Sequence, residues 1–138
     1  MVERNLSVSG KMINFRTNIG SIVRHLQEGG SQAVYVSLKT PFKVGEEVTH
    51  RLEYDAIDTF TETNESIAAK VFSKTKKTSI HVNFPEKRRP KNIHGFYLFN
   101  DEVTEIPEAL QSHNNNRVYT LEFKNPKLGS KLLIEWDW

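Results

Sequence analysis

The chain contains no cysteine, which excludes disulfide bridges, thiolate metal sites and cysteine nucleophiles together. A cysteine-free chain suits a reducing compartment, and the expectation is cytoplasmic. Long hydrophobic runs are missing as well. No stretch approaches the ~20 apolar residues of a membrane-crossing helix, and Met1 to Leu6 lacks the basic segment and apolar core of a secretory signal. Phosphate-binding loops are absent too: Gly29-Gly30-Ser31 is short and precedes no Lys-Ser or Lys-Thr pair, and no serine sits in a G-x-S-x-G elbow. The five histidines, His25, His50, His81, His94 and His113, show neither H-E-x-x-H nor H-x-H spacing and fall on separate segments. The reading is therefore of a chain with no catalytic, metal-binding or nucleotide-binding motif. It is expected not to be an enzyme and to need no cofactor.

One carboxylate pair can still be drawn. Glu53 and Asp55 stand two residues apart, about 7 Å along a strand, the kind of separation that glycosidases use. Their alternation with apolar residues places them on the solvent face, where any acidic strand supplies such pairs. His50 falls in the apolar register of the same segment and is expected to be a structural histidine.

What the chain has in quantity is alternation. At 138 residues it is sized for one domain, 1–138, burying roughly two-thirds of its unfolded surface. Val48, His50, Leu52 and Tyr54 alternate with polar residues, as do Ile80, Val82 and Phe84, then Tyr119, Leu121 and Phe123, and finally Leu132, Ile134, Trp136 and Trp138. A period of two puts one set of side chains on one face of a strand. Less regular β-rich runs cover 6–15, 33–39, 67–72 and 96–99. The count is about eight strands, separated by turn clusters such as Glu28-Gly29-Gly30-Ser31 and Asn114-Asn115-Asn116. Repeated short strands of this kind point to an antiparallel sandwich.

Two segments invite more specific readings. Ile19, Ile22, Val23 and Leu26 fall at the i, i+3, i+4, i+7 spacing of a helix face, with Asn18 as N-cap; the same residues could form the first arm of a hairpin into 33–39. Near the C-terminus, Lys124 to Ser130 joins two alternating runs, with Pro126 as a strand breaker and Gly129 able to take a positive φ. This predicts a C-terminal hairpin. Pro107 to Gln111 is expected to form one helical turn in a crossover.

The net charge is only +2, too small for a whole-molecule field that would draw the chain to nucleic acid. Its distribution is uneven, acidic through 46–65 and basic through 70–91. The basic residues form two clusters, 74–77 and 87–91, at opposite ends of one alternating run, roughly 20 Å apart. Lys76, Lys77, Arg88 and Arg89 are the candidate contacts for a partner protein or, as the alternative, for nucleic acid, which would also need exposed aromatics between the clusters. Charged turns serve equally well to keep strand ends soluble and unpaired.

From His50 onward the chain resembles an immunoglobulin-like β-sandwich that accompanies bacterial signalling and defence effector proteins. The residues that carry the likeness are Arg51-Leu52-Glu53-Tyr54 with Phe60, Ile80 to Pro85 with Arg88-Arg89-Pro90, and Asn125 to Gly129 with Ile134 to Trp138. The resemblance implies a role in recognition or in regulating a partner and brings no catalytic residue with it. The combined expectation is an all-β, antiparallel, immunoglobulin-like sandwich. It would act as a protein-interaction or sensing module on another protein, one encoded nearby or a second copy of itself, with no membrane partner.

Overall fold

The computed structural model describes the backbone of residues 2–7, 11–28, 31–57 and 63–138, and side chains within 11–27, 33–57 and 63–138. The fold is all-β and antiparallel, with twelve strands among the described residues: β1 (Val2–Ser7), β2 (Lys11–Thr17), β3 (Ser21–Glu28), β4 (Ser31–Ser37), β5 (Leu52–Ile57), β6 (Asn64–Lys70), β7 (Lys77–Asn83), β8 (Lys91–Phe99), β9 (Glu102–Glu105), β10 (Leu110–His113), β11 (Val118–Lys124) and β12 (Lys131–Asp137). The strands beyond the expected eight are β3, the second of the two strands that share the run at 6–15, and β9 and β10. The run at 6–15 divides between β1 and β2, while β9 and β10 are short arms around a 3-10 turn at Pro107–Ala109. The chain forms two compact units, Met1–Thr61 and Glu62–Trp138.

The first unit holds the three-stranded sheet β1-β4-β3 and the two-stranded sheet β2-β5. Val34 and Val36 of β4 are fully buried, and Met12 of β2 nearly so. Residues 21–28 form a strand, so the helical reading of 19–28 is incorrect. Its apparent stripe has a simple cause. A bulge between Ile22, which pairs with Val36, and Arg24, which pairs with Tyr35, leaves Val23 as an extra residue pushed into solvent. An inserted residue shifts the face of everything after it, so two strand halves mimic a spacing of three and four. Leu26 then pairs with Ala33, while His25 pairs with Val34 and meets the Phe15 ring edge-on at 4.7 Å.

The second unit is a sandwich. Its sheets are β10-β11-β7 and β6-β12-β8-β9, and the alternating residues read from sequence supply the contact between them. Phe84, just after β7, meets Trp136 of the other sheet edge-on at 5.1 Å and Tyr119 of its own sheet at 5.9 Å, and Tyr97 stacks on Phe123 across the sheets at 4.0 Å. Leu121, Leu132, Ile134 and Trp136 are completely buried.

The C-terminal hairpin does not form. β11 pairs with β10 and β7, whereas β12 pairs with β6 and β8, so 125–130 crosses from one sheet to the other. Backbone hydrogen bonds explain the choice. Asn125, at φ 52, donates its N–H to the Lys76 carbonyl. Gly129 donates to the Val71 carbonyl, and Val71 donates to that of Ser130. The connection is therefore saturated by residues flanking β7 and β6, leaving no ladder between its own two ends.

Candidate functional site

The residues expected to carry chemistry are occupied with one another. On the first unit, Arg16 of β2 reaches both carboxylates of β5, with Nε 3.5 Å from Glu53 and Nη2 3.4 Å from Asp55. Asn14 donates a further hydrogen bond to Asp55 at 2.9 Å. The Asn14 amide, joined by the Arg16 guanidinium, holds the Asp55 carboxyl below its ordinary range. Arg16 and Asn14 of β2 thus bridge to the carboxylates of β5 across the strand pair.

His50, expected to be a structural histidine, has the Thr17 side chain among its neighbours. Thr17 Oγ1 donates to the Ile19 carbonyl at 2.8 Å and lies 3.1 Å from His50 Nε2. The single hydroxyl proton is already committed, so Nε2 carries the ring proton and donates it to Thr17. Tyr54 lies nearby in sequence on β5, and burial pushes its phenol up to about 12. Burial disfavours the phenolate, so this tyrosine stabilises the fold fully below its unfolded value of about 10 and loses that contribution as pH rises toward about 12. Ultraviolet titration should show one of the four tyrosines ionising late and together with loss of structure. Tyr54→Phe should remove that late component, and an unchanged titration curve would contradict the assignment.

The four basic candidates are split between the two ends of β7. Lys77 pairs with Glu122 at 3.5 Å, and the Lys76 carbonyl receives the Asn125 N–H. At the far end, the Arg88 guanidinium lies 3.9 Å from the centre of the Trp138 ring, a cation–π contact. Arg89 Nη1 donates to the Asn115 carbonyl at 2.8 Å. Arg88 covers a Trp138 face that an incoming base would need for stacking. Their clustering is visible in the sequence, whereas their partners depend on tertiary pairing.

Two small depressions lie among the described residues. A depression of about 180 Å³ is lined by Ala109, Gln111, Thr120 and Glu122, and another of about 150 Å³ by Arg16, Thr17, Asn18, Arg51 and Glu53. Both fall short of the ~300–1,000 Å³ typical of small-molecule pockets. Among the described residues no group of three or more His, Asp or Glu could hold a metal ion, and no helix is long and apolar enough to cross a membrane.

Comparison with known proteins finds no matching family model, curated protein or solved structure.

Two surfaces depart from the rule that a sheet or loop presents polar residues to water. The first is the connection 38–51 between β4 and β5, which contains no strand. Phe42, Val44 and Val48 are exposed along it, Val44 completely. Its base is fixed by Asn18, whose side chain accepts the Arg51 N–H at 2.6 Å and donates to the Thr49 carbonyl at 2.8 Å. This is the residue that the sequence offered as a helix cap. The tip is fixed as well: the Glu46 N–H reaches the Lys43 carbonyl and the Lys43 N–H reaches the Glu46 carboxylate, each at 3.0 Å. Gly45 closes this turn at φ +87, a conformation that a side chain resists.

The second surface is the outer face of sheet β6-β12-β8-β9. Cross-strand pairing puts Ala68, Leu133 and Phe96 in one row and Lys131, Leu98 and Val103 in the next. Asn64 and Asn92 donate to the two carboxylate oxygens of Asp137 at 3.0 and 3.1 Å, lowering its pKa, and His94 Nδ1 lies 2.7 Å from Glu105.

Proposed function

We propose that this chain is a non-catalytic protein-interaction module, acting in the cytoplasm and engaging a protein partner through the loop 38–51. The observation that carries the reading is the exposure of Phe42, Val44 and Val48 on a connection that is bonded at both base and turn. Single exposed apolar residues need no explanation, but here three large ones share one connection. A pre-ordered loop loses little conformational freedom on binding, so its apolar contacts convert more fully into affinity. Loops on a rigid scaffold commonly carry recognition, and the immunoglobulin-like resemblance of the second half points the same way. The absence of cysteine suits the cytoplasm.

The test is site-specific photocrosslinking from position 44 in native cells, run beside the double variant Phe42→Asp/Val44→Asp carrying the crosslinker at position 48. Both positions are exposed, so the variant should retain its stability within ~0.5 kcal/mol. The expected result is a discrete crosslinked protein that the variant no longer captures. Recovery of RNA alone, or of the same proteins with and without the aspartates, would overturn the reading.

A further inference from the structure

The outer face of the β6-β12-β8-β9 sheet carries a pattern that complements itself. Running along β12, its outward residues are Lys131, Leu133, Glu135 and Asp137; those of β8 alongside are Leu98, Phe96 and His94 and, past a bulge, Lys91 opposite Asp137. Lys70 of β6 pairs with Lys131, which makes one end of the face basic. Glu135 puts an acid on the other side of Leu133, ahead of the Asp137–Lys91 pair, with Glu105, bonded to His94, at the β9 margin. Between the two ends lie Ala68, Leu133 and Phe96, with Leu98 and Val103 beside them. An outward sheet face normally shows the polar half of the alternation. Here its centre is apolar, and on β12 a lysine and a glutamate flank that centre on opposite sides, while Lys91 pairs with Asp137 beyond.

We infer that this face is the contact surface for a second copy of the chain, in a dimer whose two-fold axis passes through the Leu133 row and runs across the strands. A rotation of that kind reverses strand direction while keeping β12 over β12. Leu133 and Phe96 then meet their own counterparts, and Lys131 of each copy faces Glu135 of the other. Lys131 and Glu135 are spaced symmetrically about Leu133, roughly 7 Å to either side along the strand, so one axis satisfies both. Neither residue takes part in an ion pair or side-chain hydrogen bond among the described residues. An axis parallel to the strands would instead set acid against acid, so the charge pattern selects the orientation. This isologous arrangement is the commonest in homodimers, and two sheets stacked at about 30° would move the two Glu105 residues apart at the rim.

The footprint is modest. Four strands at about 4.8 Å spacing by seven residues at about 3.3 Å give a face on the order of 400 Å² in plan, which places the dimer in the weak, reversible class below ~1,200 Å² of total burial. The inference extends the protein-interaction reading to a different face and does not use the loop 38–51.

Sedimentation velocity of the full chain from ~5 to ~500 μM, the range suited to a weak interface, should show the average mass climbing from one chain toward two. Phe96→Glu should weaken association at least tenfold, and so should Lys131→Glu. The exchange variant Lys131→Glu/Glu135→Lys should recover most of the loss, because it restores the pair across the axis. Circular dichroism of each variant verifies that the sheet remains folded. A mass that stays at one chain over the whole range would overturn the inference, as would an exchange variant no better than Lys131→Glu. The Phe42→Asp/Val44→Asp loop variant should dimerise normally. If it alone abolished dimerisation, the face would be wrong and the loop reading would stand.

Discussion

Trp136→Ala is expected to remove about 3–5 kcal/mol of stability from the second unit, as aromatic truncations in cores do, which is a large part of the total for a unit of this size. Trp136 is completely buried on β12, a strand flanked by β6 on one side and β8 on the other. Its ring meets Phe84 of the opposite sheet at 5.1 Å and Trp138 at 5.9 Å, both edge-on. Each such pair adds ~0.5–1.5 kcal/mol beyond area burial. The crossover 125–130 that precedes β12 cannot collapse into the space left behind, because Asn125 and Gly129 are bonded to Lys76 and Val71, beside β7 and β6. Trp138 would be the sole remaining tryptophan, so urea unfolding followed by its fluorescence reports directly on this unit. Leu133→Ala on the same strand points outward and should cost far less in a dilute, monomeric sample. Equal losses for the two variants would mean that the register of β12 is wrong.

That register was legible before any coordinates were. Leu132, Ile134 and Trp136 face the core as their alternation demands, and Ile80 with Phe84 does the same on the opposite sheet. Partner choice was not legible, because a period of two states which face is buried and says nothing of which strand lies alongside. Hence Lys124 to Ser130 looked like a hairpin and is a crossover. The actual hairpin between β8 and β9 turns on Asn100-Asp101, at φ 49 and 63. Both residues tolerate the left-handed region that a two-residue turn requires, so Asn-Asp between two β-rich runs was a usable signal. The bulge at Val23 hid a strand as a helix for the reason already given. Among the functional surfaces, Lys76, Lys77, Arg88 and Arg89 were visible as charge clusters. The stapled loop and the apolar outer face depend on long-range pairings, Asn18 with Thr49 and Arg51 and Phe96 with Leu133, that local pattern does not encode.

Gly20→Ala should destabilise the first unit by at least ~2 kcal/mol, for two reasons that add. Gly20 stands at φ +70, where a Cβ costs roughly 1–2 kcal/mol. That Cβ would also be driven into the Ser37 carbonyl oxygen, with Leu38 Cα at 3.3 Å behind it. The obstacle is backbone at the end of β4, which cannot rotate away as a side chain would. Relief requires β3 and β4 to separate at Ser21 and Ser37, the first pair of their ladder. Asparagine distinguishes the two causes. It tolerates positive φ but carries the same Cβ, so Gly20→Asn should remain costly. At Gly45, by contrast, φ is +87 with nothing within 4 Å of the added atom, and Gly45→Asn should be nearly neutral. Both tryptophans lie outside the first unit, so the measurement is native-state hydrogen exchange at the buried β4 amides of Val34 and Val36. Faster exchange there in Gly20→Ala and Gly20→Asn, and no change in Gly45→Asn, is the expected pattern. Protection that survives in Gly20→Asn would show that backbone conformation alone, without the close approach of Ser37, sets the requirement for glycine.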